Sequence, residues 1–325
     1  MTYLENSKQY TGSDLENIFF RPMLTGESAQ ELGVRVLYNM PQPTHIQLWD
    51  GQRNILQKFT SAGWTGGNPA TKYEKTVNLS RVKAELGFSA ADYFSMVYEK
   101  ITALANVNMD DLSGTELEQA ETTLFKQALA ENIRVTMWLG NTASAAGYNT
   151  FDGFLKPINT LVSDEAVYNF TYQAAALEDP AYAVEVFDKL WKGADPRIHD
   201  LKADGQLAYF VSSDIYHLYE KYLDSKGADA AYTDAMNGRR SLAYHGIPVV
   251  DVRLGSYLGA TSFRQSFVLL TDRRNLVLAV NTADMPGNEV RMWYNPDEME
   301  NRQRAVFMAG SEILDEALIT FAYKQ

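Results

Sequence analysis

The first candidates for acid–base or metal chemistry in this sequence are four histidines, His45, His199, His217 and His245. None of them lies in an H-E-x-x-H or similar short metal-ligand spacing. His199 is followed by Asp200, the pairing of a base with an orienting carboxylate, but no G-x-S-x-G nucleophile elbow accompanies it. The histidines therefore predict neither a metal centre nor a catalytic triad.

Paired carboxylates are the second candidates, at Asp110-Asp111, Asp297-Glu298 and Asp315-Glu316. Two carboxyl groups whose environments separate their pKa values can hydrolyse a glycosidic bond, and Trp49 and Trp64 could line a sugar cleft. Adjacent residues on a surface usually point apart, which favours solvated charge. A carbohydrate-active enzyme remains an alternative, and it predicts a monomer with a deep pocket.

Basic residues cluster at Arg239-Arg240, at Arg273-Arg274 and at the pair Arg302 and Arg304. Any of these clusters could meet a phosphate. Because the chain as a whole is acidic, we favour ion pairs between subunits.

The composition of the 325 residues is that of a folded protein, with 46% hydrophobic and 22% charged residues. Lys and Arg number 29 against 41 Asp and Glu, a net charge of -12 that argues against a free-standing DNA-binding module. The lack of cysteine excludes disulfides, thiol nucleophiles and thiolate metal sites. Without a signal region or an apolar stretch of about 18 residues, we expect a soluble chain, neither secreted nor membrane-inserted.

The first 80 residues predict two extended features. Residues 1–43 read as an arm, whose apolar Phe19 and Phe20 need a surface, and that surface can belong to another subunit. Residues 45–49 and 54–59 read as two strands joined at Asp50-Gly51, within a long β-loop spanning 44–80.

A long helix is predicted over residues 114–139. Ser113 and Glu116 form a capping box, and Leu117, Leu124, Val135 and Trp138 keep near-helical spacing. Gly140-Asn141 predicts a left-handed stop. A shorter helix is predicted to precede it at about residues 90–104.

Strands and helices alternate from residue 149 onward and predict an α+β domain. Asp179-Pro180 opens a helix, and strands are predicted at 207–211, 246–252, 266–270 and 275–280. The last two of these strands are joined by the turn 271–274. Strands at 289–294 and 317–323 are predicted to pair with the long-helix domain.

This order of parts resembles the major capsid protein of tailed bacteriophages, with its Hong Kong 97-like fold. Three phrases carry the resemblance: Gly153-Phe154-Leu155 after the long helix, a "Y-x-G-I-P-V" strand at residues 244–249, and an "L-T-x-x-x-N-L" hairpin at residues 270–276. The order and the phrases together cover nearly the whole chain.

The resemblance implies an α+β fold with an N-terminal arm (1–43), an extended β-loop (44–80), a peripheral domain with a spine helix (81–150), an inserted axial domain (151–285) and a return to the peripheral domain (286–325). It implies a structural protein, with no catalytic residue, cofactor or metal, that self-assembles into pentamers and hexamers of an icosahedral shell. The shell would enclose double-stranded DNA without sequence-specific binding, inside a virion assembled in the bacterial host cytoplasm. Scaffolding, portal and decoration proteins are the further partners that it implies.

Within that family picture, eight residues are predicted to contact neighbouring subunits: Phe19, Phe20, Arg21, Trp49, Lys58, Trp64, Arg302 and Arg304. Aromatic residues at the centre of an interface contribute a disproportionate share of binding energy. An encapsulin-type nanocompartment shares the fold and is the nearest alternative, because it differs in its cargo rather than in the spacing of its residues.

Overall fold

The computed structural model describes residues 8–25, 33–40, 44–49, 72–89, 116–145, 147–226, 242–258, 266–282, 288–298 and 300–324. Its strands, in chain order, are β1 (Lys8–Tyr10), β2 (Arg35–Tyr38), β3 (Thr44–Trp49), β4 (Lys72–Val77), β5 (Ser80–Ser89), β6 (Tyr168–Tyr172), β7 (Leu207–Val211), β8 (Leu242–Tyr244), β9 (Ile247–Asp251), β10 (Phe267–Asp272), β11 (Leu276–Asn281), β12 (Glu289–Asn295), β13 (Glu300–Ile313) and β14 (Thr320–Lys324). Its helices are α1 (residues 12–25), α2 (Glu116–Leu139), α3 (Leu155–Ser163), α4 (Tyr182–Gly193), α5 (Pro196–Leu201) and α6 (Ser213–Ser225).

The strands form two six-stranded sheets and one separate hairpin. The peripheral sheet has the order β1-β12-β13-β11-β2, with β5 also paired to β13. The axial sheet has the order β6-β14-β10-β7-β9-β8, and β3 pairs with β4. The long strand β13 organises the peripheral sheet, because it pairs with β12 in its first half, β11 in its second half and β5 along most of its length.

The two sheets exchange strands twice, which corrects the predicted division of the chain. The predicted hairpin at 270–276 is wrong, because β10 lies in the axial sheet and β11 in the peripheral sheet. The prediction that 317–323 pairs with the long-helix domain is also wrong, because β14 lies between β10 and β6. Both β10 and β11 are buried along their whole length, so neither shows an alternation that would indicate its sheet.

The spine helix α2 begins at Glu116 and ends at Leu139. Its buried stripe includes Phe125, Leu129 and Ile133, whereas the predicted core residue Leu124 is 41% exposed. In the first half of the helix, the buried stripe therefore lies one residue after the predicted one. Ser113 of the predicted capping box and the predicted helix at 90–104 lie outside the described residues.

The end of α2 is attached to the axial sheet through Trp138. This side chain is fully buried, and its ring centroid lies 5.3 Å from that of Phe154, 5.5 Å from Phe210 and 6.2 Å from Phe267. Phe210 and Phe267 belong to β7 and β10 of the axial sheet. The spine helix thus belongs to the core that joins the two sheets.

The predicted extended arm is helical over residues 12–25, with a π-helical turn at Leu15–Phe20. Leu15, Phe19, Phe20, Met23 and Leu24 are all buried. Their spacing places them on one face of a helix, and that face packs into the core of its own chain. The helical spacing of these apolar residues among polar ones was the sequence signal for a helix. The prediction of an extended arm overlooked it.

The described part of the predicted β-loop is a pair of antiparallel strands. β3 pairs with β4, in the register Thr44 with Val77 and Trp49 with Lys72. The predicted second strand at 54–59 and its turn at Asp50-Gly51 lie outside the described residues.

The "Y-x-G-I-P-V" phrase forms the tight β8–β9 hairpin, with Tyr244 paired to Ile247. The two residues between them both have positive φ, 49° at His245 and 82° at Gly246. This is the backbone of a type I′ turn, whose twist suits a two-residue hairpin and which favours glycine.

The change Gly246→Ala is expected to lower the free energy of unfolding by about 1–2 kcal/mol, because a Cβ at positive φ is strained even in open space. A urea unfolding midpoint measures this. His245→Asn is the counterpart, because asparagine tolerates left-handed φ, and it should leave the midpoint at or slightly above the wild-type value. Equal midpoints for Gly246→Ala and the wild type would contradict the assignment of the turn.

Candidate assembly surfaces

Phe19 and Phe20 are fully buried within their own chain. The Phe20 ring centroid lies 4.8 Å from that of Phe307 in the peripheral sheet, and the Phe19 centroid lies 5.0 Å from that of Tyr10. Lys126 of α2 places its Nζ 4.7 Å from the Phe19 ring centroid. The prediction that these rings contact a neighbouring subunit is therefore corrected: they are core residues with no open surface.

Arg21 instead points outward from α1 and neutralises a buried carboxylate. Its Nε donates to Oε1 of Glu16 at 2.8 Å, and Asn39 Nδ2 donates to the other Glu16 oxygen. Its guanidinium also lies 5.1 Å from the ring centroid of Tyr38, whose pKa is raised by burial. The Arg21 side chain is still 56% exposed, so this residue remains open to a neighbour.

Arg302 and Arg304 lie on one side of the peripheral sheet, which we call the outward face. It is formed by alternate residues of three strands, with Arg304 of β13 between Arg291 of β12 and Glu85 of β5, and Arg302 between Trp293 and Gly87. The other side of these strands is buried, by residues that include Val290, Met292, Ala305 and Phe307. On the outward face, Glu85, Gly87 and Arg291 are exposed to solvent.

Arg302 and Arg304 make ion pairs within their own chain. Arg302 contacts Glu298, and its Nε lies 3.4 Å from Glu300 Oε2. Arg304 NH2 lies 2.5 Å from Glu289 Oε1. Both arginine side chains are still 34% exposed, and their predicted ion pairs with another subunit stay a prediction.

Trp293 is the aromatic centre of the outward face, and sequence reasoning missed it. The guanidinium carbons of Arg291 and Arg304 each lie 5.7 Å from its ring centroid. Next to it, a groove of about 530 Å³ opens beside Gly87. The alternation Arg291-Met292-Trp293 was the sequence signal, because it places arginine and tryptophan together on one side of a strand.

A second groove, of about 840 Å³, lies where the two sheets meet, and we call it the junction groove. Its carboxylates are ion-paired: Asp315 Oδ2 lies 3.2 Å from Arg197 NH1, and Asp272 Oδ2 lies 2.6 Å from Arg274 NH2. Hydrogen bonds and charges from Asp272 and Asp204 raise the pKa of Arg274, and they outweigh the opposing effect of partial desolvation. The Asp315–Arg197 pair ties α5 to the connection between β13 and β14.

The chain crosses between the two sheets in the β10–β11 connection and in the β13–β14 connection. Asn275 joins these two crossings beside the junction groove. Its Nδ2 donates to Thr271 Oγ1 at 3.1 Å and to the Asp315 carbonyl at 2.9 Å. Its Oδ1 accepts from the Asp315 backbone N–H at 2.7 Å, and Thr271 Oγ1 donates to the Leu318 carbonyl at 2.7 Å. The "L-T-x-x-x-N-L" phrase thus supplies a hydrogen-bonded clamp between the crossings.

The β3–β4 hairpin carries polar pairs at its base. His45 Nδ1 lies 2.7 Å from Glu74 Oε1 and 3.1 Å from Thr76 Oγ1. Lys75 Nζ lies 2.8 Å from Glu316 Oε1, which ties the hairpin to the connection between β13 and β14. No motif in the sequence indicated this role of Lys75.

The remaining predicted contact residues lie on or beyond the hairpin. Trp49 is the last residue of β3, and Lys58 and Trp64 lie outside the described residues. Over the described ranges, no group of three or more His, Asp or Glu side chains is arranged to hold a metal ion. No helix in this part of the chain is long and apolar enough to cross a membrane.

No family model matches the sequence, and no curated protein matches it. The structure is similar to solved capsid structures. A chain of the satellite phage P4 procapsid matches over 93% of this chain and 96% of its own length, with a TM-score of 0.56 and 12% sequence identity. A chain from the capsid of the native GTA particle matches over 92% of this chain and 90% of its own, with a TM-score of 0.51 and 15% identity.

Each of these matches covers more than nine-tenths of the chain. The chain has the Hong Kong 97-like fold of phage capsid structures, and the predicted fold class is confirmed.

Proposed function

We propose that this chain is the major capsid subunit of a tailed phage or prophage. Copies assemble into pentamers and hexamers of an icosahedral shell that encloses double-stranded DNA. The observation that carries this proposal is the match of more than nine-tenths of the chain to capsid chains over nearly their full length. The role is structural, since the groups of the junction groove hold the two sheets together.

The acidic balance of the chain agrees with a container for DNA. A net charge of -12 repels phosphate and discourages tight, specific contact with the packed genome. The shell would be assembled in the bacterial host cytoplasm and found in the virion. Scaffolding, portal and decoration proteins are the further partners expected of such a shell.

Three sites are proposed to contact neighbouring copies. The first is the outward face with Trp293, Arg302 and Arg304, where partly exposed arginines surround an aromatic ring; this composition is typical of interface centres. The second is the β3–β4 hairpin with the residues that connect its two strands, a part of the chain that includes Trp49, Lys58 and Trp64. Arg21 is a third, isolated contact at the surface of α1.

Size-exclusion chromatography with light scattering, followed by negative-stain imaging, tests assembly directly. We expect pentamers, hexamers or hollow shells. A strict monomer at every concentration and salt would contradict the proposal. Shells that hold a protein cargo and never DNA when isolated from their natural host would identify a nanocompartment instead.

The change Arg302→Glu tests the outward face. Its intrachain ion pairs are partly exposed and contribute about 0–1 kcal/mol, so the subunit should still fold. Placing a negative charge in the interface should lower the yield of assembled particles at least about tenfold, because like charges brought together at an interface cost several kcal/mol. The yield is measured by light scattering and by counting particles.

The matched control is Lys192→Glu on α4, which also breaks an exposed ion pair, with Asp188. This variant also replaces a positive charge with a negative one, but at a site outside the outward face. It should assemble like the wild type. Equal yields for the two variants would remove the outward face from the proposed interface.

A further inference from the structure

The β3–β4 hairpin depends on its base for its direction. Its two strands pair with each other, and the two-stranded sheet that they form has no third strand among the described residues. An isolated hairpin is marginally stable in water and normally rests on a larger structure. The contacts at its base therefore decide where it points.

One part of the base is apolar and belongs to the peripheral sheet. Val77 and Leu79 are buried against Ala279 of β11, and Leu37 and Met308 pack on them. Gly310 of β13 lies so close to this segment that a Cβ there would be 2.2 Å from the Asn78 carbonyl oxygen. These contacts hold the start of the hairpin, and Ile46 of β3, which pairs with Lys75, also packs on this cluster.

The polar part of the base is Lys75. Its Nζ lies 2.8 Å from Glu316 Oε1 and 3.7 Å from Glu312 Oε1. The side chains of Lys75 and Glu312 are only 30% and 24% exposed. Burial acts to lower the pKa of Lys75, but the hydrogen bonds and charges of Glu316 and Glu312 outweigh it, and the pKa is raised.

The two carboxylates lie on either side of a crossing between the sheets. Glu312 belongs to β13 of the peripheral sheet. Glu316 begins the short turn Glu316–Leu318, which leads into β14 of the axial sheet. Asp315, directly before that turn, is the residue that Asn275 clamps.

We propose that Lys75 is a latch that couples the direction of the β3–β4 hairpin to the relative position of the two sheets. A rotation of the axial sheet against the peripheral sheet moves Glu316 relative to Glu312, and one ammonium group cannot stay on both. The hairpin then either follows Glu316 or is released. Through the proposed capsid function, on which this step rests, the latch would set how a subunit reaches its neighbour.

The absence of cysteine makes the test direct, because two introduced cysteines can carry spin labels without a competing thiol. Gln47→Cys on β3 and Lys221→Cys on α6 place one label on the exposed side of the hairpin and one on the axial domain. The distance distribution between the labels, measured by pulsed electron spin resonance on the unassembled chain, reports the direction of the hairpin.

The variant Lys75→Met keeps the length of the side chain and removes its charge. We expect its distance distribution to broaden and its mean to shift by several ångströms, and Glu316→Gln should act in the same way. The double variant should change no more than the larger single variant, because both remove one interaction. Lys75→Arg should keep the wild-type distribution.

The matched control is Lys83→Met. It breaks an exposed ion pair between Lys83 and Glu85, which both lie on β5, the strand that follows the hairpin. It should leave the label distances unchanged. An unchanged distribution in Lys75→Met, or independent effects of the two single variants, would overturn the latch.

Assembly of the same variants separates the latch from the proposed function. If the wild-type chain forms no particles but the label distances are coupled as described, the capsid function fails and the latch stands. If particles form normally while the label distances do not change in Lys75→Met, the latch fails and the capsid function stands.

Discussion

The change Gly140→Ala is expected to destabilise the subunit by about 3 kcal/mol or more, the largest effect of any substitution considered for this chain. A Cβ at this position would lie 2.2 Å from the Phe151 carbonyl oxygen and 2.6 Å from that of Thr136. Both neighbours are backbone atoms, which cannot move aside as a flexible side chain can. The end of the spine helix would have to separate from the segment that leads into α3.

This close approach is held by a ladder of backbone hydrogen bonds. Gly140 N–H donates to the Thr136 carbonyl, and Gly153 N–H donates to the Gly140 carbonyl, both at 2.8 Å. Phe154 N–H donates to the Met137 carbonyl, also at 2.8 Å. A displacement large enough to fit a methyl group would break this ladder and disturb the packing of Trp138.

Urea unfolding of the unassembled chain measures the effect, with Gly255→Ala as the control. A Cβ at Gly255 would have its nearest neighbour, Ser213 Oγ, at 3.8 Å, an ordinary contact. The control should unfold within about 0.5 kcal/mol of the wild type. If both variants unfold at the same urea concentration, the close approach of the two backbones does not exist.

Gly140 also illustrates what sequence patterns predict well and what they miss. The end of the helix at this position is correct, since glycine after a periodic segment is a reliable stop signal. The predicted left-handed stop is wrong: Gly140 is not among the residues with positive φ. It is required by space rather than by its own backbone angle, and its partner Gly153 is distant in the sequence from the helix that it approaches.

Several strands were predictable, but β5, the long β13 and the partners of the strands were not. Runs such as residues 207–211 and 275–280 indicate buried strands by composition alone. Sheet membership depends on pairing across long distances along the chain, as when β14 pairs with both β10 and β6. A strand that is buried on both faces gives no side that marks its sheet.

The assembly surfaces were predicted only in part, for a related reason. Clustered aromatic residues need to be buried, which is why they are predicted as interface anchors. Phe19 and Phe20 are instead buried in the core of their own chain. Arg302 and Arg304 were identified by charge, whereas the place of Trp293 beside Arg302 follows only from the register of β12 with β13. Exposure is a property of the folded chain and not of the residue type.

The second large effect is expected at Asn275. Replacing it with alanine should lower the free energy of unfolding by about 2–4 kcal/mol, because this buried side chain makes three hydrogen bonds that water cannot replace. The Asp315 N–H and C=O would be left without these partners at the crossing between the sheets. Asn275→Asp should lose as much, since a carboxylate cannot donate to Thr271 Oγ1 or to the Asp315 carbonyl.

The control for this prediction is Asn149→Ala, which removes one exposed hydrogen bond of 3.3 Å to the Ser144 carbonyl and should change the midpoint by less than about 0.5 kcal/mol. Hydrogen exchange followed by mass spectrometry then locates the damage. If Asn275 clamps the crossings, Asn275→Ala should speed exchange in β11 and β14 together, although they lie in different sheets. Faster exchange in only one of these strands would show that the crossings are held independently, because a clamp that joins both cannot fail on one side alone.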